Sequence, residues 1–412
     1  MNPITLAQGA QPLGLLHLPF GLLLLPPVAD DGGALGRILA GDGSGPLPPE
    51  WRFWHAAAEG DAEGARVWLE DQAGLVADYD RFVLAPSPEA VAALRAAATG
   101  DLALLVAAAG YVFGLVDQVP APEAAAAPEV AGLLALPAAA AAVEAGDVAG
   151  AVALLDRSAA QVAGVSPILA AQLEAQAADL EHGANPARAI TRLRSALRHA
   201  EGSPLAAGLW LQLGLYLHEA GEGNRSGLTA AIDAYQSAIH AGLSRDSNPE
   251  GFALVQNNLG LAYLSLPMAE DRDALKKAVA VQSFREALTV YGPESHPEQW
   301  TSVQLNLANA LQYLPSSHPQ ENLVAAVEIY DQLLARRPKS HDPVGHARLL
   351  ANQGNALAHL GMFQPALAQL DEAHKLFHWH GEADMAAAVL EQVSLIHERR
   401  AALAAEPVES PP

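Results

Sequence analysis

Gln256-Asn257-Asn258-Leu259-Gly260-Leu261-Ala262-Tyr263 is the stretch on which the fold is read, because its pattern returns at 210–217, 304–311 and 350–357. One small residue keeps its place in each copy, so that Gly214, Gly260, Ala308 and Gly354 follow one another at steps of 46, 48 and 46 residues. A second kind of segment comes after each copy: Ala231-x3-Tyr235, Ala280-x3-Phe284, Ala326-x3-Tyr330 and Ala366-x3-Leu370. Three of these add a further Ala three residues on, at Ala238, Ala287 and Ala373, with Leu333 in the other. Small and large residues alternating at helical spacing let a neighbouring helix approach at the small one and fill its groove with the large one. Each repeat therefore reads as two helices, A then B.

A third marker runs in the same register. Ser247-Asn248-Pro249-Glu250, Ser295-His296-Pro297-Glu298 and Ser340-His341-Asp342-Pro343 each precede an A helix. Ser or Asp caps the free N–H groups there, and Pro occupies the first turn, where it loses no hydrogen bond.

At these residues the chain resembles the tetratricopeptide family. Trp210-x2-Leu213-Gly214 and Leu259-Gly260-x2-Tyr263 match that family's helix A signature, the Ala-x3-aromatic segments match its helix B, and Pro338 falls where it ends a repeat. The last repeat has the family's spacing, 16 residues from Gly354 to Leu370, whereas the other three intervals are 21, 24 and 22. Their longer A–B connections, at 219–227, 267–277 and 315–322, are similar to the long-period bacterial and kinesin-light-chain-like repeats. The resemblance implies an all-α fold, a right-handed α-solenoid of stacked antiparallel helix pairs.

The earlier part of the chain is more degenerate. Gly60-Asp61, Gly100-Asp101 and Gly146-Asp147 each separate two apolar stretches, Gly supplying a left-handed stop and Asp the next cap. Ala151-x3-Leu155 and Ala189-x3-Leu193 keep the helix B spacing, with Ala139 and Ala177 sixteen residues before each large residue. The expected organisation is an apolar, Pro/Gly-rich segment over 1–50, degenerate hairpins over 51–165 with a linker near 120–128, the repeat array over 166–400, and a disordered tail over 401–412. Within the first segment, the apolar run 13–28 is interrupted by Pro19, Gly21 and Pro26. It is too short to span a bilayer, and so many leucines must either pack on the repeats or be covered by a partner.

Composition narrows function. The 412 residues carry 23 Lys+Arg against 46 Asp+Glu, a net charge of −23, which repels a phosphate backbone and disfavours nucleic acid as a partner. There is no cysteine, which removes disulfides, thiolate zinc sites and a cysteine nucleophile together. Lysine occurs only at 276, 277, 339 and 375, an Arg-biased usage that goes with GC-rich bacterial coding. No Lys or Arg precedes Arg37, so the positive region of a secretory signal is missing and a soluble, cytoplasmic protein is expected.

Phosphate-loop, zincin and nucleophile-elbow motifs are absent, and Gly41-x-Gly43-x-Gly45 lacks a preceding strand. No enzyme activity, cofactor or metal is expected. One histidine cluster, His374, His378 and His380 with Asp371, has a spacing that a divalent metal can use, but nothing fixes a fourth ligand. It reads rather as the polar face of the final repeat's B helix, with Trp379 and the imidazoles at a helix end.

Asparagine carries the functional reading. It is a poor helix former because its side chain competes for the backbone, yet Asn257, Asn258, Asn306, Asn309, Asn352 and Asn355 all fall inside expected A helices. Asn258, Asn306 and Asn352 are in phase, as are Asn309 and Asn355. The tetratricopeptide resemblance implies that A helices line a groove in which such amides bond an extended peptide backbone, for which an amide has both donor and acceptor. The alternative is that each Asn ties one repeat to the next. Only Arg348 stands where relatives place a cation beside these asparagines, so a terminal-carboxylate clamp looks incomplete. The chain thus reads as a module that binds a partner polypeptide segment, or as an accessory, assembly or regulatory factor of a larger bacterial complex.

Overall fold

The computed structural model describes residues 5–6, 23–39, 45–58, 60–221, 224–267, 273–315 and 318–405. Strand pairing among them is limited to β1 (Thr5–Leu6) against β2 (Leu24–Leu25), antiparallel, with Thr5 opposite Leu25. The remaining regular structure is helical, so the all-α class read from the sequence is observed.

Two compact units make up the chain: Met1–Gly221 with Asp233–Leu243, and Glu222–Ile232 with Ser244–Pro412. The first unit begins with short helices, α1 (Ala34–Leu39), α2 (Arg52–Ala58), α3 (Ala62–Leu69), α4 (Leu75–Leu84), α5 (Pro88–Ala97) and α6 (Asp101–Val112). Longer ones follow, α7 (Pro128–Glu144), α8 (Val148–Val162), α9 (Pro167–His182), α10 (Pro186–His199) and α11 (Leu205–Ala220), and α12 (Arg225–His240) is shared between the units. The second unit holds α13 (Pro249–Ser265), α14 (Asp273–Ala287), α15 (Pro297–Gln312), α16 (Pro319–Arg336), α17 (Pro343–His359), α18 (Phe363–Trp379) and α19 (Ala383–Ala405).

Within each unit α7 pairs with α8, α9 with α10, α13 with α14, α15 with α16 and α17 with α18, and each pair packs on the next. A helices also touch the A helix of the following repeat, as α13 does α15. This is the tetratricopeptide-like arrangement, in which a hairpin buries its apolar face only against its neighbours. The division into units falls within residues 166–400, and α8 packs directly on α9 across position 165. The last helix runs through Ala405, so 401–405 are helical and not part of the tail expected over 401–412; residues 406–412 lie outside those described.

The small-to-large pattern is realised inside each pair. A Cβ on Gly214 would meet the Tyr235 ring at 2.5 Å, one on Gly260 the Phe284 ring at 2.6 Å, and one on Gly354 the Leu370 side chain at 2.8 Å. Each large partner is fully buried. In the repeat between, Ala308 and Tyr330 share one core. Gly260→Ala gains about 1 kcal/mol of helix propensity but forces a buried ring to move, at a cost of about 1–3 kcal/mol. A net loss of stability is expected in urea unfolding; a gain would mean that the ring yields freely.

Helix starts refine the capping expectations. Asp61, Asp147, Asn248 and Asp342 accept from the N–H three residues on, at Gly64, Gly150, Gly251 and Gly345. The capping residue is thus the one just before Pro249 and Pro343, while Ser247 bonds Ser244 instead. Gly60, Gly100 and Gly146 have φ of 82°, 61° and 84°, as a left-handed stop requires. Asp101 departs from the pattern: it is the first residue of α6, and its carboxylate accepts from Ala126 and Ala127 at 2.8 and 2.9 Å. It thereby anchors the segment expected to be a linker.

Residues 23–28, the described part of the apolar 13–28 run, pack on the protein. Leu23, Leu24 and Leu25 are buried in one core with Phe53, Tyr79 and Phe82. Asp80 on α4, itself buried, accepts the Leu24 N–H at 2.8 Å, and the Trp51 indole donates to the Pro26 carbonyl at 2.8 Å. Residues 13–22 and Gly41 and Gly43 of the glycine run lie outside the described residues.

Candidate functional site

An α-helix turns about 100° per residue, so a residue two before the small one points well away from the B helix that the small one faces. Asn258, Asn306 and Asn352 hold that position on α13, α15 and α17. Residues at i, i+4, i+7 and i+11 share one stripe. On α17 the stripe is Arg348, Asn352, Asn355 and His359; on α15 it is Ser302, Asn306, Asn309 and Tyr313. On α13 it is Leu254, Asn258, Leu261 and Ser265. The middle residues are half-buried and the outer ones exposed, which places a mostly uncharged polar face along three A helices of the second unit.

Several of the asparagines do tie repeats together. Asn306 donates through Nδ2 to Asn257 Oδ1 at 3.2 Å, joining α15 to α13, and Asn352 Nδ2 donates to Asn309 Oδ1 at 3.1 Å, joining α17 to α15. The Tyr330 hydroxyl donates to the same Asn309 oxygen at 2.7 Å, so α16 enters the network. Asn258 Nδ2 instead bonds the Leu254 carbonyl of its own helix at 2.9 Å. The Asn355 side chain makes no hydrogen bond among the described residues.

Each tie uses only part of an amide, which offers two donors and an acceptor oxygen with two lone pairs. Asn306 and Asn352 therefore keep an oxygen and one N–H on the half-exposed face. The same bonds that join repeats hold the amides in fixed orientation.

Arg348 is exposed and is the only cation on these stripes, since Leu254 and Ser302 occupy the equivalent places. The ring of His359 meets Tyr313 edge-on at 6.1 Å. Partial desolvation, helped by the charge of Arg399, pushes the His359 imidazole below its usual value. Tyr313 and His359 were missed from the sequence, although both fall five residues after the small position.

The first unit carries a related cluster that sequence reading also missed. Gln212 stands two residues before Gly214, the same register as Asn258, and with the Tyr216 hydroxyl it bonds Asp179 of α9. The His182 ring stacks flat on Tyr216 at 3.6 Å between centroids. Burial first, and then the hydrogen bond to Asp179, push the Tyr216 hydroxyl well up. Register alone would have found Gln212; its partners come from another repeat.

On α18 the imidazoles of His374 and His378 stack at 6.1 Å, while Asp371 pairs with Lys375 and His380 is the exposed residue that ends the helix. Among the described residues no group of three His, Asp or Glu is placed to hold a metal ion.

No family model and no curated protein matches the sequence. Among solved structures, BtubC (BKLC) from P. vanneervenii is 20% identical and covers 57% of this chain and 91% of its own, with a TM-score of 0.41. Cut9, in the APC/C hetero-tetramer Cut9–Hcn1, is 15% identical over 83% of this chain and 62% of its own, TM-score 0.43. A Rap protein complexed with competence and sporulation factor is 13% identical over 85% and 94%, TM-score 0.35. At these scores the fold rests on the helix pairing of this chain itself.

Proposed function

We propose that the protein is a non-enzymatic interaction module whose second unit holds an extended segment of a partner polypeptide along α13, α15 and α17. The observation that carries this reading is the half-buried amide stripe. Asn306 and Asn352 are oriented by inter-repeat bonds that leave hydrogen-bonding capacity facing out, and the half-buried Asn355 side chain makes no hydrogen bond among the described residues. An extended backbone supplies one N–H and one C=O per residue, which an amide of fixed orientation matches whatever the side chains. A net charge of −23 favours a neutral or basic segment.

Asn355 gives the clean test. Asn355→Ala removes no side-chain hydrogen bond seen among the described residues and exchanges a weaker helix former for a stronger one, so its melting temperature should hold or rise slightly. Affinity for the partner segment, obtained by pull-down from the native organism and mapped by cross-linking, should fall by about 1 kcal/mol, roughly fivefold. Asn306→Ala and Asn352→Ala should lower both quantities, the stability by about 0.5–1.5 kcal/mol. Unchanged binding by Asn355→Ala, together with cross-links away from these three helices, would remove the reading.

A further inference from the structure

In the first unit a cavity of about 590 Å³ opens between α3, α4 and α5, far from the amide stripe in sequence and built differently. Its floor is apolar, formed by Phe82 and Leu94, both buried, with half-buried Ala90 beside them and Ala85 and Ala97 exposed at its edges. Val67 and Leu75, 57% and 38% exposed, extend that apolar surface to the mouth. Large aliphatic side chains left in water beside an apolar hollow mark a place where another surface comes to rest.

Charge at the rim selects that surface. Glu63, Glu70 and Asp78 line it with Arg66 and Arg81. Arg81 is spent internally: its guanidinium donates to the Leu69 and Gln72 carbonyls at 2.6 and 3.0 Å and to Asp78. Arg66 leans on Glu63 at 3.4 Å. Glu70 has no ion-pair partner among the described residues, so the net field at the mouth is negative. Residues 1–165 reinforce it with 19 acidic against 6 basic side chains, 6 − 19 = −13.

Backbone groups of α3, α4 and α5 are engaged in their own helices, so there is no open edge for a strand to pair with. A segment seated here is held by side chains alone, which is how a helix lies in a groove, anchored at i, i+3 or i+4, and i+7.

We propose that the α3–α4–α5 groove docks an amphipathic helical segment of a partner protein, its apolar face on Phe82, Leu94, Val67 and Leu75 and a flanking Lys or Arg against Glu70. This surface is independent of the amide stripe on the second unit.

The test is to pan a displayed library of 18-residue helical peptides against the full-length protein and measure the enriched sequences by fluorescence anisotropy. Enriched peptides should carry apolar residues at helical spacing edged by Lys or Arg. Their affinity should fall at least tenfold in Val67→Asp and in Leu75→Asp, several-fold in Glu70→Lys, and not at all in Asn355→Ala. The Glu70→Lys loss should shrink as salt rises, because exposed charges are screened. Val67, Leu75 and Glu70 are exposed, and circular dichroism would verify that each variant stays folded. Failure to enrich any peptide that distinguishes wild type from Val67→Asp overturns the proposal, as does enrichment of peptides without basic flanks. A wild-type dimer that Val67→Asp converts to monomer assigns the groove to a second copy of the chain and also overturns it. Marked loss of stability in Val67→Asp would mean that the chain's own residues fill the groove, which overturns it equally.

Discussion

Phe284→Ala is expected to lower the unfolding free energy of the second unit by about 3–5 kcal/mol, the range for truncating a fully buried aromatic. Phe284 is completely buried and rests directly on Gly260, where no side chain exists to slump into the space left behind. Ala280 and Ala287, one turn away on the same face of α14, are too short to fill it. The cavity therefore stays open, which places the cost toward the upper end of that range. Urea unfolding followed by fluorescence reports it, since Trp300 lies in the same core. Because stacked repeats need not unfold in one step, the slope of the transition should be compared with the midpoint. A loss below about 1 kcal/mol would show that α13 and α14 are not held together by this contact. The variant should also weaken partner binding, because α13 carries Asn257 and Asn258, whereas Asn355→Ala changes binding alone.

Asp80→Asn is expected to stabilise the first unit increasingly as pH rises. Asp80 is 1% exposed, and burial holds its carboxyl well above the usual carboxylate value, outweighing the Leu24 N–H and the charge of Arg81, which both pull it down. A carboxyl raised in the folded state contributes stability that is complete below its unfolded pKa, near 3.9, and is lost as pH climbs through the folded value. The wild type should therefore weaken on going from pH 4 toward neutrality, relative to the variant, by up to about 1.4 kcal/mol per pH unit. Asparagine keeps an oxygen for the Leu24 N–H without titrating. Asp80→Leu, which orphans that buried N–H, should cost about 1–3 kcal/mol. A stability difference between wild type and Asp80→Asn that stays flat from pH 4 to 8 would remove the burial argument.

Helix pairing was legible because it depends on local periodicity. Gly214, Gly260, Ala308 and Gly354 each needed a large partner in the next helix, and Tyr235, Phe284, Tyr330 and Leu370 supplied it within the Ala-x3-large segment that follows each one. Capping was legible where one residue reaches its own helix, as at Asp147 and Asp342, and failed at Asp101, whose carboxylate reaches Ala126 and Ala127, 25 and 26 residues away.

Sequence by itself determined that the A helices carry asparagines in phase, and that those residues need a compensation that helix propensity does not supply. Only the tertiary structure decided which compensation each one has. Asn306 meets Asn257 across 49 residues and Asn352 meets Asn309 across 43, pairings that depend on how one hairpin is set against the next. Periodicity says which face a side chain is on, but not which atom of another repeat lies 3 Å from it. Likewise the buried carboxyl of Asp80 and the groove over Phe82 and Leu94 come from helices brought together by packing, and no spacing within α4 or α5 announces them.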